Sequence, residues 1–379
     1  MKYRDFCGEK VSVLGFGTMR LPVETGTGEG RAGKIDEKRA INLIRAGIDG
    51  GINYIDTAYM YHDEESEGLV KKALENGYRG KVFIADKLPV WEVKEDFSIS
   101  DIFNKQLERL GESHIDFYLL HNANEGSWSD AKKYDALNFL DGLKKSGKVK
   151  KLGFSFHGET FELFKEVVDS YEWDFVQIQL NYMDTEMQAG IKGLKYLESK
   201  NIPVVIMEPL KGGRLSQNIP PVVKNIFSEF KEKRSPADWA FRWLANFPAI
   251  RVILSGMSDE KQLAENLQIF DTVEENSLSE KELNIIKKVA DKYNSLIRYD
   301  CTACKYCKPC AVDIDIPSVM NYINEYYLYE KNETVSTDYK MFIDPKPSKC
   351  IECGNCMSHC PQSLDIIKAM QEAVSIFSE

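Results

Sequence analysis

Short apolar runs alternate with helical periodicity through the first 255 residues of the chain. The runs are VSVLGFG (11–17), INYIDTA (52–58), KVFIADK (81–87), HIDFYLLH (114–121), VKKLGFS (149–155), WDFVQIQ (173–179), IPVVIM (202–207) and IRVILSG (250–256). Each reads as one strand. Each of the last seven is preceded by a plausible helix. In RAINLIRAGIDGG, Ile41, Leu43, Ile44 and Ile48 make one apolar stripe, and Gly-Gly ends it. EGLVKKALENG, FNKQLERLGE, ALNFLDGLKKSG and FELFKEVVDSY repeat the design. Strands joined through helices pair in parallel. An open doubly wound sheet would satisfy the pattern, but eight units favour a closed (β/α)8 TIM barrel. No glycine-rich fingerprint follows the first strand, as an open dinucleotide-binding sheet would need. TGTGEGRAG (25–33) has no strand leading into it and is expected to be a flexible loop.

Residues 258–298 keep a helical pattern, and at Tyr299 the composition changes. Eight of the nine cysteines lie beyond that point. Two domains are therefore expected, a barrel over 1–298 and a cysteine-rich domain over 299–379. The 39 residues between the two cysteine runs read as an insertion with one or two helices (SVMNYINEYYLYEK). With 43% apolar residues the chain can bury a large core. The net charge of 49 − 59 = −10 argues against a nucleic-acid partner, which needs clustered Lys and Arg. No apolar run approaches the roughly 20 residues of a membrane span. MKYRDFCGEK has no apolar core of signal type, so a soluble cytoplasmic protein without a membrane span is expected.

The second cysteine run, CIECGNCMSHCP, spaces Cys350, Cys353, Cys356 and Cys360 as C-x2-C-x2-C-x3-C-P. That is the spacing of bacterial iron–sulfur ferredoxins, in which the fourth cysteine reaches the other cluster. The first run spaces Cys301, Cys304, Cys307 and Cys310 as C-x2-C-x2-C-x2-C, one residue shorter, with proline before its last cysteine. Exchange of the fourth ligand pairs Cys301, Cys304 and Cys307 with Cys360, and Cys350, Cys353 and Cys356 with Cys310. Two [4Fe–4S] clusters are the expectation. Zinc and free thiols are the alternatives, but four cysteines within ten residues crowd a tetrahedral site. Cys7 stands alone and reads as a small buried hydrophobe.

Barrel enzymes place their chemistry at the C-terminal strand ends. There the chain has Asp56, with Tyr61 five residues on, then Lys87 and His121. Each has an ordinary structural explanation alone, but four polar residues closing three successive strands of one barrel are harder to dismiss, and they fit carbonyl reduction, which needs a hydride at carbon and a proton at oxygen. A free tyrosine, with a pKa near 10, is a reluctant donor, and a nearby ammonium is expected to lower that value. Asp56 would hold Lys87, His121 would orient a carbonyl, and Tyr61 would be general acid in reduction and base in oxidation.

GINYIDTAYMY, IADK and YLLH resemble the tetrad motifs of the aldo-keto reductase family over residues 1 to about 275. QLNYMD, MEPLKGGRL and CKPC–DIDIP fit its iron–sulfur branch, in which a two-cluster ferredoxin-like domain, α+β or mainly helical, follows the barrel. The resemblance implies Asp56, Tyr61, Lys87 and His121 as the tetrad, and NADP or NAD extended across the barrel mouth. It implies Ser155 and Gln179 at the carboxamide. Met207 would stand where an aromatic residue usually stacks on nicotinamide. Gly256, Met257, Ser258, Gln262, Glu265 and Asn266 would surround the adenosine end. Phe156 replaces the usual asparagine after the serine, and Gly256 and Gln262 replace basic residues that usually grip a 2′-phosphate. The function implied is reduction of a small-molecule carbonyl. Hydride carries two electrons and a [4Fe–4S] cluster one, so the clusters would be structural, redox-sensing or in exchange with an external flavoprotein. The alternative is an electron-transfer subunit whose barrel serves as scaffold or docking domain.

Overall fold

The structure is a computed structural model and describes residues 1–25, 34–158, 160–217, 219–301, 307–329, 333–360 and 363–378. Most of the expected loop at 25–33, and Cys304 of the first cysteine run, lie outside the described residues. The chain forms two compact units, one of residues 1–217 and 234–280, the other of 218–233 and 281–379. The junction expected at 298 thus falls one helix beyond the start of the second unit's main segment, because Glu280–Leu296 packs almost wholly with that unit.

In the first unit, β1 (Tyr3–Phe6) and β2 (Glu9–Ser12) form an antiparallel hairpin. The next eight strands are β3 (Leu14–Gly17), β4 (Tyr54–Asp56), β5 (Phe83–Leu88), β6 (Ile115–Ala123), β7 (Val149–Phe156), β8 (Phe175–Gln179), β9 (Val204–Met207) and β10 (Ile250–Ser255). They close into a parallel barrel in chain order, with β10 paired to both β9 and β3. All eight expected strands are present. The one revision is VSVLGFG, which serves two sheets. Its first residues belong to the hairpin, and at Val13 the chain passes into the barrel. There the Val13 N–H is bonded to the Lys2 carbonyl (3.0 Å) and its carbonyl accepts from Ile253 (2.7 Å).

The hairpin fills the barrel floor. The Phe6 ring lies 4.9 Å from Phe117, nearly parallel to it, and 5.3 Å from Phe175. Phe6 and Val11 are fully buried among interior residues Tyr54, Leu119, Val205 and Val252. Arg4 fastens the hairpin by donating to the Ala245 carbonyl at 2.5 Å and pairing with Glu275 at 3.1 Å. The barrel interior is close-packed. A Cβ on Gly153 of β7 would meet the Phe175 carbonyl oxygen at 2.7 Å. Cys7, half-buried beside this core, donates its thiol to the Asp174 carbonyl at 3.3 Å. Burial first, then Asp174, pushes that thiol up to about 12.

The helices follow their sequence signals. Glu37–Asp49 is capped by Asp36 and buries Leu43, Ile44 and Ile48 as expected, with Ile41 half-buried. Ile99–Leu110 starts in a Ser98–Asp101 capping box and ends at Gly111, whose φ of 68° suits a residue without a Cβ.

The second unit holds helices Ile316–Leu328, Glu333–Phe342 and Ile366–Phe377 and has no strand among its described residues, so it is the mainly helical form. Val319, Met320, Ile323, Ala369, Met370, Ala373 and Phe377 form its core. The Tyr339 ring stacks on Phe377 at 3.8 Å. The Glu372 carboxylate accepts from Tyr299 (2.5 Å) and Tyr327 (2.7 Å) and ties the start of this region to its last helix. Among the described residues no helix is long and apolar enough to cross a membrane.

Candidate active site and cysteine pocket

β4, β5 and β6 end side by side at the open rim, and the four expected tetrad residues come together there. Lys87, the penultimate residue of β5, is fully buried. Its ammonium donates to Asp56 Oδ1 (2.9 Å), the Thr57 carbonyl (2.7 Å) and the Tyr61 hydroxyl (3.3 Å), which uses all three N–H groups. The second Asp56 oxygen lies 2.8 Å from the same nitrogen. The Tyr61 and His121 rings meet edge to face at 6.3 Å, and Trp91 lies 5.1 Å from His121. Trp128 is a buried helix residue that donates to Glu166 (2.7 Å).

The electrostatics revise one expectation. Burial raises the Tyr61 hydroxyl above its ordinary value; Lys87 opposes this, and Asp56 reinforces it. Tyr61 is therefore a protonated phenol at neutral pH. Lys87 stays an ammonium because Asp56 and Tyr61 outweigh a burial that would discharge it. Burial pushes the Asp56 carboxyl up, against the pull of Lys87. Burial, Lys87 and His157 hold His121 well below the ordinary histidine value, so its ring is neutral.

These groups open onto a cavity of about 800 Å³. Asp56, Tyr61 and His121 line it, while Lys87 stands behind them. Of the residues expected at a dinucleotide, Met207, Gly256, Ser258, Gln262, Glu265 and Asn266 line the cavity. Ser258 N–H donates to Gln262 Oε1 (2.9 Å), and the Asn266 amide donates to Ser255 (3.0 Å).

Three expected contacts do not line it. Met257 is fully buried away from the wall. The Gln179 amide donates to Asp184 (3.4 Å) and its oxygen accepts from Gln188 (3.0 Å). Two residues deeper on the same face of β8, Gln177 lines the cavity; among the described residues its Oε1 is buried without a partner and its amide reaches only Met207 Sδ, at 3.5 Å. Strand alternation could have suggested Gln177 beside Gln179. The Ser155 hydroxyl accepts from the Asn122 N–H at 2.8 Å. That bond braces a β-bulge in which the β6–β7 register shifts between Leu120 and Ala123 and Asn122 takes a φ of 54°. Bulges at barrel rims re-aim side chains. Here consecutive residues, His121 and Asn122, both line the cavity.

Arg20 and Arg39 also line the cavity and were not singled out from sequence. Arg39 grips Glu260 with two bonds, at 3.0 and 2.8 Å. Arg20 is exposed and packs over Gly256, where a Cβ would meet its own Cβ at 3.2 Å.

In the second unit, Cys310, Cys350, Cys353 and Cys356 line one pocket, with Ile314, Ile316, Ile366 and Met370 as its apolar wall. That is the set expected from exchange of the fourth ligand. Gly354 takes a φ of 76° between Cys353 and Cys356 and leads into the short helix Asn355–Ser358. Burial, and then Cys350 and Cys353, raise the Cys356 thiol, so a cationic core is what would hold these groups as thiolates. The donor set fits a [4Fe–4S] cluster. Cys301, Cys307 and Cys360 pack half-buried against the same helical core.

A family model described as "Aldo/keto reductase family" matches residues 13–291, and one described as "4Fe-4S dicluster domain" matches 300–364. The chain is 25% identical over 308 residues to an L-galactose dehydrogenase of Arabidopsis thaliana, covering 76% of this chain and 93% of that protein. It is 28% identical over 240 residues to a glyoxal reductase of Bacillus subtilis, covering 61% and 78%. Among solved structures, an aldo-keto reductase from Bacillus halodurans in its holo form matches with a TM-score of 0.62 at 23% identity, covering 76% of this chain and 96% of that one. One from Klebsiella pneumoniae, solved in complex with NADPH, matches with a TM-score of 0.58 at 21% identity, covering 76% and 96%. The chain is an oxidoreductase that belongs to the aldo/keto reductase family and carries a 4Fe-4S dicluster domain after its barrel.

Proposed function

We propose that the barrel reduces an aldehyde or ketone to an alcohol with NADPH or NADH. The observation that carries this is the Lys87 ammonium, held by Asp56, donating to a Tyr61 hydroxyl that faces the cavity. A tyrosine oxygen that already accepts from Lys87 has its own proton to give. Tyr61 donates that proton to the carbonyl oxygen, and the ammonium at 3.3 Å stabilises the phenolate left behind. Neutral His121 donates to the same oxygen and orients it. A nicotinamide, when bound, supplies the hydride. The unpartnered Gln177 Oε1 suits the N–H groups of its carboxamide, and Arg20 and Arg39 supply positive charge for the dinucleotide phosphates. The Klebsiella neighbour's NADPH complex agrees with this reading.

In the same reading the chain holds two [4Fe–4S] clusters. Cys310, Cys350, Cys353 and Cys356 hold one, and Cys301, Cys304, Cys307 and Cys360 the other. We take the functional junction to lie near 298, which the interval between the two family matches supports. Tyr61→Phe tests the chemistry. It is expected to abolish NAD(P)H-dependent carbonyl reduction while iron content stays at the wild-type level; full activity in that variant would overturn the assignment.

A further inference from the structure

The cavity carries a second imidazole that none of these roles uses. His157 directly follows β7, and His121 lies on the neighbouring β6; both line the cavity. The His157 N–H is bonded to the Ala123 carbonyl at 3.2 Å, which fixes it against the end of β6. Among the described residues its ring makes no hydrogen bond, and His121 Nδ1 is buried without a partner. Alternation along β7 explains the orientation. Phe154 and Phe156 turn outward onto Phe164, at 6.3 and 4.9 Å, so Ser155 and His157 turn inward. With Ser155 committed to Asn122, His157 is the residue of this strand end with a free polar group at the cavity.

Burial and Lys87 bring His157 down to about 4, so both rings are neutral at physiological pH. A neutral imidazole has one N–H to donate and one nitrogen that accepts. Neighbouring strands run about 4.8 Å apart. With Tyr61 and His121 engaging the reacting oxygen, His157, anchored to the end of the neighbouring strand, would present its ring to the adjoining part of the substrate.

We propose that His157 determines specificity: it hydrogen-bonds an oxygen on the carbon next to the reacting carbonyl, so the site selects α-hydroxy- and α-oxo-carbonyl compounds over simple aldehydes and ketones. This rests on the carbonyl-reductase reading.

Hydroxyacetone and acetone make a matched pair for the test. Wild type is expected to favour hydroxyacetone in kcat/KM by about tenfold or more, the effect of one well-formed hydrogen bond. In His157→Phe the ratio should fall to near one, and His157→Asn, which keeps a donor, should retain part of it. An unchanged ratio in His157→Phe overturns the proposal. If wild type reduces neither ketone, the reductase reading fails, and ligand binding still decides the role of His157. In titrations read by tryptophan fluorescence, tighter binding of hydroxyacetone that is lost in His157→Phe supports it. Equal binding of the two ketones by wild type overturns it.

Discussion

Replacing Asp56 with Asn keeps the side-chain shape and removes the charge that faces a buried ammonium. The side chains of Lys87 and Asp56 are only 1% and 4% exposed, so water cannot replace the lost partner. Removing one member of a buried pair costs about 3–5 kcal/mol. The Thr57 carbonyl and the Tyr61 oxygen still accept from Lys87, which puts the expected loss near the lower end, about 3 kcal/mol. The pH dependence gives the sharper signature. In the native protein Lys87 is held above its ordinary value, so its contribution is complete at neutral pH and is lost only as pH rises through the folded value. In Asp56→Asn, burial dominates and the folded value drops below the ordinary one. The native state then binds fewer protons than the unfolded chain, and stability rises with pH up to about 10.4. Urea unfolding without oxygen, followed by tryptophan fluorescence, measures this in the barrel, because all five tryptophans lie within 1–217 and 234–280. Adding Lys87→Met should restore most of the loss, since a buried pair exchanged for apolar groups is close to neutral. A single variant as stable as wild type at pH 7, or one whose stability does not climb between pH 7 and 9, would refute the argument.

Because burial holds Tyr61 protonated, kcat/KM for reduction should stay level from about pH 6 to 9 and decline only beyond the ordinary tyrosine value; a decline centred near neutrality in steady-state assays would contradict this. Cys310→Ser should lose about half of the bound iron, as measured by iron and sulfide analysis, while Cys7→Ser keeps all of it; equal iron in the two variants would refute the four-cysteine pocket. Ser155→Ala strands the Asn122 N–H and should destabilise the barrel by about 1–3 kcal/mol in the same urea assay.

The eight strands were legible because each is a short apolar run bounded by a helix, and the tetrad because its residues sit at strand ends within a few positions of a motif. The cysteine pocket was legible from spacing alone. What sequence could not supply was direction. Ser155 and Gln179 have the right residue types, but one braces a bulge and the other faces Asp184, and neither fate is written in local spacing. The pull of Lys87 on Tyr61 was legible but the net direction was not, because a neighbouring charge is visible in a motif while burial is not. Arg20 and Arg39 both follow β3, and nothing in their local spacing says that they turn toward the cavity. The hairpin was hidden because VSVLGFG reads as one uninterrupted strand although it changes sheets at Val13.

With Phe6 wedged among the interior rings, the described residues close the barrel at its floor and leave the rim as the way in. In the proposed reading, a long cofactor lying across that rim and a small substrate beneath it could not trade places freely. Whatever enters first must leave last, so turnover should follow a compulsory order, with the alcohol departing before the oxidised dinucleotide.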